Sequence, residues 1–129
     1  LETFEELRLL LNFQLNNRFL MTLILIGQPE LRAIIDRLKQ LKQRLAIRYH
    51  LNPLSKEDTK NYITHRLKVA GTEANIFSDK AFSLIWVHSD GVPRLINTIC
   101  DMSLLLGFTQ RLKEINEDII KKTAYDLES

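Results

Sequence analysis

Phe4, Leu7, Leu10, Leu11 and Gln14 recur at steps of three and four, a spacing that predicts a helix over residues 3–16. Met21-Thr22-Leu23-Ile24-Leu25-Ile26-Gly27 is apolar without alternation, which predicts a strand covered on both faces, as in a parallel sheet. Gly27 breaks that run, and Pro29 with Glu30 reads as the first turn of a helix through Ile35. Between Arg44 and Leu51 the pattern alternates. Leu45, Ile47 and Tyr49 share one side, and Arg44, Ala46 and Arg48 the other, which predicts a second strand. Strand, helix and strand within about thirty residues form a βαβ unit, whose crossover is expected to be right-handed. Pro53 ends the run.

After Pro53 the periodicity is helical throughout. Ser55 with Asp58 three residues on resembles a capping box, and Gly71 closes the helix it opens. Ser78 is an N-cap flanked by Phe77 and Phe82 at the spacing of a hydrophobic staple, and Ile115, Asn116 and Ile120 repeat that geometry. Pro93 starts a helix in which Leu95, Ile96, Ile99, Cys100, Met102, Leu105 and Leu106 cover most of the circumference, predicting the central, buried helix of its bundle. The expected fold is a piece of α/β sheet with two parallel strands over residues 1–53, followed by a helical lobe over 54–129, helical for the most part.

Composition narrows the class. The 129 residues are 45% hydrophobic and 26% charged, which supports a packed core and excludes intrinsic disorder. One cysteine excludes a disulfide framework and fits a reducing compartment. The longest apolar runs fall well short of the ~20 residues of a membrane span, and no charged-then-apolar leader opens the sequence. A net charge of +2 does not call for nucleic acid or an acidic membrane.

Little in the chain has the spacing of catalytic chemistry. His50, His65 and His88 fall in different elements, and neither they nor Cys100 show a zinc-ligand spacing. There is no nucleophile elbow and no G-x-x-x-x-G-K-[ST] loop, so the sequence has no phosphate cradle of its own. Three positions remain. Gln28 lies just past the carboxyl end of the first expected strand, where open α/β sheets bind ligands; it can equally be a polar residue leaving a strand. Arg44 follows the polar stretch Lys39-Gln40-Leu41-Lys42-Gln43, and can be a solvated cation. Gly91-Val92-Pro93-Arg94 sets an arginine in the first turn of a helix, against the macrodipole. A cation is tolerable there when an anion shares the helix end, or when it bends away to a carboxylate such as Asp90.

Three blocks carry a family resemblance: Leu25-Ile26-Gly27-Gln28-Pro29-Glu30-Leu31-Arg32, Gln43-Arg44-Leu45-Ala46-Ile47-Arg48-Tyr49-His50-Leu51, and Gly91-Val92-Pro93-Arg94-Leu95-Ile96-Asn97. They resemble the AAA+ ATPase domain of the general secretion pathway protein A (ExeA-type) family, as do Leu54-Ser55-Lys56-Glu57-Asp58 and Ile99-Cys100-Asp101. Glu5-Glu6-Leu7-Arg8-Leu9-Leu10-Leu11-Asn12 resembles the helix after that family's Walker B strand. Under this resemblance Gln28 falls on sensor 1, Arg44 in the region of the arginine finger with Arg48 as its alternative, and Arg94 on sensor 2, with Gly91 and Pro93 framing it at the nucleotide. The Walker A and Walker B segments are absent, so the sequence resembles the second half of an ATPase module, ending in its helical lid.

The resemblance implies ATP and magnesium in a longer parent, with neither expected on this chain alone, which is expected to be inactive. It also implies a place on the cytoplasmic side of the inner membrane in type II secretion, an inner-membrane partner protein of the secretion apparatus, and coupling of ATP use to assembly of a secretin complex. The first and second expected strands would flank an absent P-loop strand. Self-association as a dimer through the N-terminal lobe is therefore expected, with oligomers in the parent and no specific nucleic acid bound. The alternatives are a DNA-binding helical module or a transposition- or replication-type AAA+ regulator.

Overall fold

The computed structural model describes Thr3, Phe4, Glu6 and Leu9, the strand residues Gln14–Leu15 and Arg18–Phe19, and residues 22–128, with side chains of the strand residues and Glu128 left aside. The chain divides into two compact units, Leu1–His50 and Leu51–Ser129. It is mostly helical, as the periodicity indicates.

In the first unit, Thr3, Phe4, Glu6 and Leu9 are helical, but the helix expected to reach residue 16 does not. Gln14–Leu15 (β1) pairs antiparallel with Arg18–Phe19 (β2), Gln14 opposite Phe19 and Leu15 opposite Arg18. Two asparagines separate them in sequence, and asparagine favours turns over helix interiors. Glu30–Arg37 forms α1 and Lys39–Lys42 forms α2, burying Ile35 and Leu41.

The two expected parallel strands are not formed. Residues 22–28 and 45–51 carry no strand pairing, so the only sheet among the described residues is β1–β2. A helix closes its hydrogen bonds within itself, whereas a strand exists only beside a neighbour. Neither segment has one among the described residues; Leu23, Leu25 and Leu45 are half-buried, but Ile26 is 86% exposed and Ile47 and Tyr49 are each 84% exposed.

The second unit follows its sequence signals closely. Lys56–Val69 (α3), Asp79–Ser89 (α4), Pro93–Thr109 (α5) and Glu117–Glu128 (α6) pack around Ile63, Phe77, Phe82, Ile85, Ile96, Ile99, Ile115, Ile119 and Ile120. Ser55 Oγ accepts from the Asp58 N–H at 3.1 Å and donates to its carboxylate at 2.6 Å, closing the expected cap. Ser78 caps α4 through the Ala81 N–H, and Asn116 accepts from Asp118 and Ile119 to cap α6. The Phe77 and Phe82 rings of the expected staple lie 5.9 Å apart. Gly71, at φ +94, ends α3 in a Schellman motif, with Thr72 N–H on Leu67 O and Gly71 N–H on Lys68 O.

Two features lie beyond the sequence signals. Phe77 and Ile115 form a parallel bridge, with Ile115 N–H on Ile76 O and Ser78 N–H on Ile115 O, which fixes the starts of α4 and α6 side by side. The central helix α5 is also not buried all round. It packs against α3, α4 and α6 on one side and leaves Leu95, Met102, Leu105 and Phe108 exposed on the other.

Candidate functional site

The most constrained backbone among the sites expected from sequence is the connection between α4 and α5. Asp90 and Gly91 both take left-handed backbone, at φ 48 and +69. Gly91 is buried, and a side chain there would run into the Leu54 backbone, whose nitrogen and carbonyl carbon lie 2.9 and 3.0 Å from the position of a Cβ. Only glycine meets both demands cheaply. The close approach is used: Leu54 N–H donates to Gly91 O at 2.8 Å, and the Trp86 indole N–H donates to Leu54 O at 3.1 Å. Ser89, fully buried, accepts from Gly91 N–H and donates to Trp86 O, while Val92 N–H returns to Ser89 O. This fixes the extended entry segment of the unit, residues 51–55, to the turn that launches α5.

Val92 is the N-cap of α5 and contributes no side-chain hydrogen bond; Pro93 follows at the first helical position. Proline lacks an N–H, and Ile96 N–H already reaches Val92 O, so Arg94 and Leu95 hold the two first-turn N–H groups left for an outside acceptor. Arg94 is exposed, and its guanidinium makes no ion pair among the described residues. The alternative in which it bends to Asp90 is not realised. A cation and two N–H groups at the positive end of a helix suit a phosphate or carboxylate. Nearby, Tyr62 Oη donates to Asn97 Oδ1 at 3.1 Å, which ties α3 to the first turns of α5.

Gln28 and Arg44 belong to the first unit, and Gly91, Pro93 and Arg94 to the second. Gln28 is exposed, and its carbonyl accepts the Leu31 N–H at 2.9 Å where α1 begins. Arg44 is exposed in the turn after α2, with its N–H on Leu41 O. Arg48 is tied within its own unit, donating to Asp36 Oδ1 and to Lys42 O, each at 3.4 Å. The hydrogen bond from Lys42, foremost, and the charges of Lys42 and Arg48 hold the Asp36 carboxyl below its usual range.

The single cysteine is not a reactive thiol: burial, and then the neighbouring Asp101, push Cys100 up to about 12. No cluster of three His, Cys, Asp or Glu able to hold a metal occurs among the described residues.

Over 125 residues, 95% of its length, the chain is 42% identical to general secretion pathway protein A of Aeromonas hydrophila, of which it spans 23%. It is also 27% identical over 106 residues to an uncharacterized HTH-type transcriptional regulator of Methanocaldococcus jannaschii, covering 78% of this chain and 26% of that protein. The chain thus spans about a quarter of each curated relative it matches. No family model and no solved structure matches it. The first likeness supports the family to which the motifs around Gln28, Arg44 and Arg94 point.

Among the described residues no helix is long and apolar enough to cross a membrane. Sequence reasoning found the helix start at Pro93 and the position of Arg94 but missed the Leu54–Trp86 clamp behind them. The available signal was the lone tryptophan, whose indole N–H needs a partner once it is partly buried.

Proposed function

We propose that this chain is the C-terminal portion of a secretion-pathway AAA+ ATPase domain, and that Arg94 is its sensor 2, a lid arginine that binds nucleotide phosphates. The observation that carries this is the placement of Arg94: exposed, without an ionic partner, at a helix start fixed by Gly91 and Pro93. The 42% identity to general secretion pathway protein A supports a secretion-associated role. In this reading Gln28 orients water as sensor 1, and Arg44 acts on a neighbouring subunit's nucleotide. ATP supplies the phosphoryl group. The described residues offer no acidic cluster for magnesium, so its ligands come from elsewhere in a longer protein. The protein works on the cytoplasmic side of the inner membrane with an inner-membrane component of the apparatus. Self-association through the exposed segments around Ile26 and Ile47 belongs to the same reading.

The test is a chimera in which this chain replaces the matching 125 residues of the Aeromonas protein. The chimera is expected to hydrolyse ATP, and the chain alone is not. Arg94→Ala should impair a subunit's own nucleotide response. Arg44→Ala should act in trans, where losing such an arginine costs on the order of 10³-fold or more in rate in related systems. A chimera that folds yet is indifferent to Arg94→Ala refutes the sensor assignment.

The likeness to an HTH-type regulator favours a second reading, in which the helices bind DNA. Against it, α5 carries one basic residue, Arg94, and one acidic, Asp101, beside exposed leucine, methionine and phenylalanine. A groove rewards arginine, lysine, asparagine and glutamine instead. Tight DNA binding with a steep salt slope would favour this second reading.

A further inference from the structure

The outward face of α5 has an order of its own. Arg94, Thr98, Asp101, Leu105 and Phe108 follow one another at steps of four, three, four and three, the seam by which one helix lies along another. Leu95 and Met102 flank it. Leu95, Met102, Leu105 and Phe108 are 44, 45, 57 and 81% exposed. The helix has two charged residues, Arg94 and Asp101, opposite in sign and two turns apart, and both lie on this seam.

Such a face is complementary to itself when turned end for end. We propose that α5 docks antiparallel against α5 of a second copy, about a twofold axis passing near Thr98. Arg94 of each copy then lies beside Asp101 of the other, and Leu95 lies against Met102. In this register Leu105 lies level with Val92, itself 37% exposed, and Phe108 extends past the start of the partner's helix. The contact is isologous, so each pairing occurs twice. Parallel docking would set arginine beside arginine and aspartate beside aspartate, so charge selects the antiparallel arrangement. An unrelated apolar partner would leave both charges facing an uncharged surface, and a second copy answers both. The pairing does not depend on the ATPase reading. It does occupy Arg94, so a paired copy holds that guanidinium away from any other anion.

The experiment uses the whole chain. In an Ile26→Lys background, which removes the first-unit contact of the proposed function, light scattering across a concentration series should still show a reversible dimer, and Met102→Glu should weaken it by about tenfold or more. Arg94→Asp should weaken it as well, and adding Asp101→Arg to that variant should restore it. Thr98→Cys under mild oxidation should give a covalent dimer. The unsubstituted chain should not, because Cys100 is buried. Circular dichroism melts check that each variant is folded. A strict monomer at all concentrations overturns the proposal, as does a Thr98→Cys chain that stays uncrosslinked. So does association that survives Met102→Glu and is abolished by Ile26→Lys, which would put the contact on the first unit.

Discussion

Residues 22–50 are richer in leucine and isoleucine than residues 51–128, with 11 in 29 positions against 18 in 78, yet they bury fewer of them. In the first stretch only Ile35 and Leu41 are buried, while Ile24, Ile26, Ile47 and Tyr49 are at least 74% exposed. In the second, isoleucines from α3, α4, α5 and α6 meet in one core, four of them at 3% exposure or less. The difference follows from where each element finds its hydrogen bonds. Helices satisfy their backbone locally, so four short ones can gather a core from nearby sequence. The apolar runs at 22–27 and 45–51 have β patterning, and a β pattern buries nothing until another strand lies alongside. Hydrophobic content alone therefore does not decide which part of a chain is folded.

The largest test of this contrast is a matched pair of truncations. Ile96 is fully buried and Ile47 is 84% exposed. Ile96→Ala should destabilise by about 2–5 kcal/mol through lost burial and a cavity. Ile47→Ala should stay within about 0.5 kcal/mol. Chemical denaturation monitored by circular dichroism measures both. Equal effects would mean that the 45–51 segment is covered in solution.

Next in size is Gly91→Ala, which should cost about 2–4 kcal/mol, combining left-handed strain with the clash against Leu54. Trp86 fluorescence reports this locally, since its indole holds the same Leu54 carbonyl. A change in stability without a change in that signal would show that the clamp is not the source of the loss.

The third test is alkaline titration. Cys100 is raised from an ordinary 9.0 to about 12, so the unfolded chain releases this proton first. The native state keeps its full advantage below pH 9 and loses it as pH rises toward 12, by up to about 1.4 kcal/mol per unit. Cys100→Ala should flatten that limb of the stability profile. The thiol should also resist alkylation in the native state and react at once in denaturant.

Legibility in the sequence divides along the same line. The caps at Ser55, Ser78 and Asn116 and the stop at Gly71 were readable because donor and acceptor lie within five residues. The helix start at Pro93 was readable for the same reason, since a proline at the first helical position is a local signal. The Phe77–Ile115 bridge and the Trp86–Leu54 bond were not, because each joins residues more than thirty apart. The expected strands failed in the other direction: their pattern is genuine, but pairing is a property of two segments. Apolar coverage of α5 was misread as full burial because periodicity counts apolar residues without counting the neighbours available to cover them.

The smallest predicted effect concerns the end of α5, where a helix stop departs from the usual residue. Arg111 sits at φ 55, and Leu112 N–H bonds Gly107 O while Arg111 N–H bonds Phe108 O, the same motif that Gly71 completes after α3. Left-handed backbone costs an L-residue roughly 1 kcal/mol that glycine avoids, while glycine gives part of this back through greater freedom in the unfolded chain. Arg111→Gly should therefore stabilise the protein by up to about 1 kcal/mol, and Gly71→Ala should destabilise it by a similar amount. Nothing lies within 4 Å of a Cβ at Gly71, so that second change isolates backbone strain from packing. Thermal melts of the two variants should move in opposite directions. If Arg111→Gly instead lowers the midpoint, the arginine side chain contributes more to this unit than its backbone strain removes.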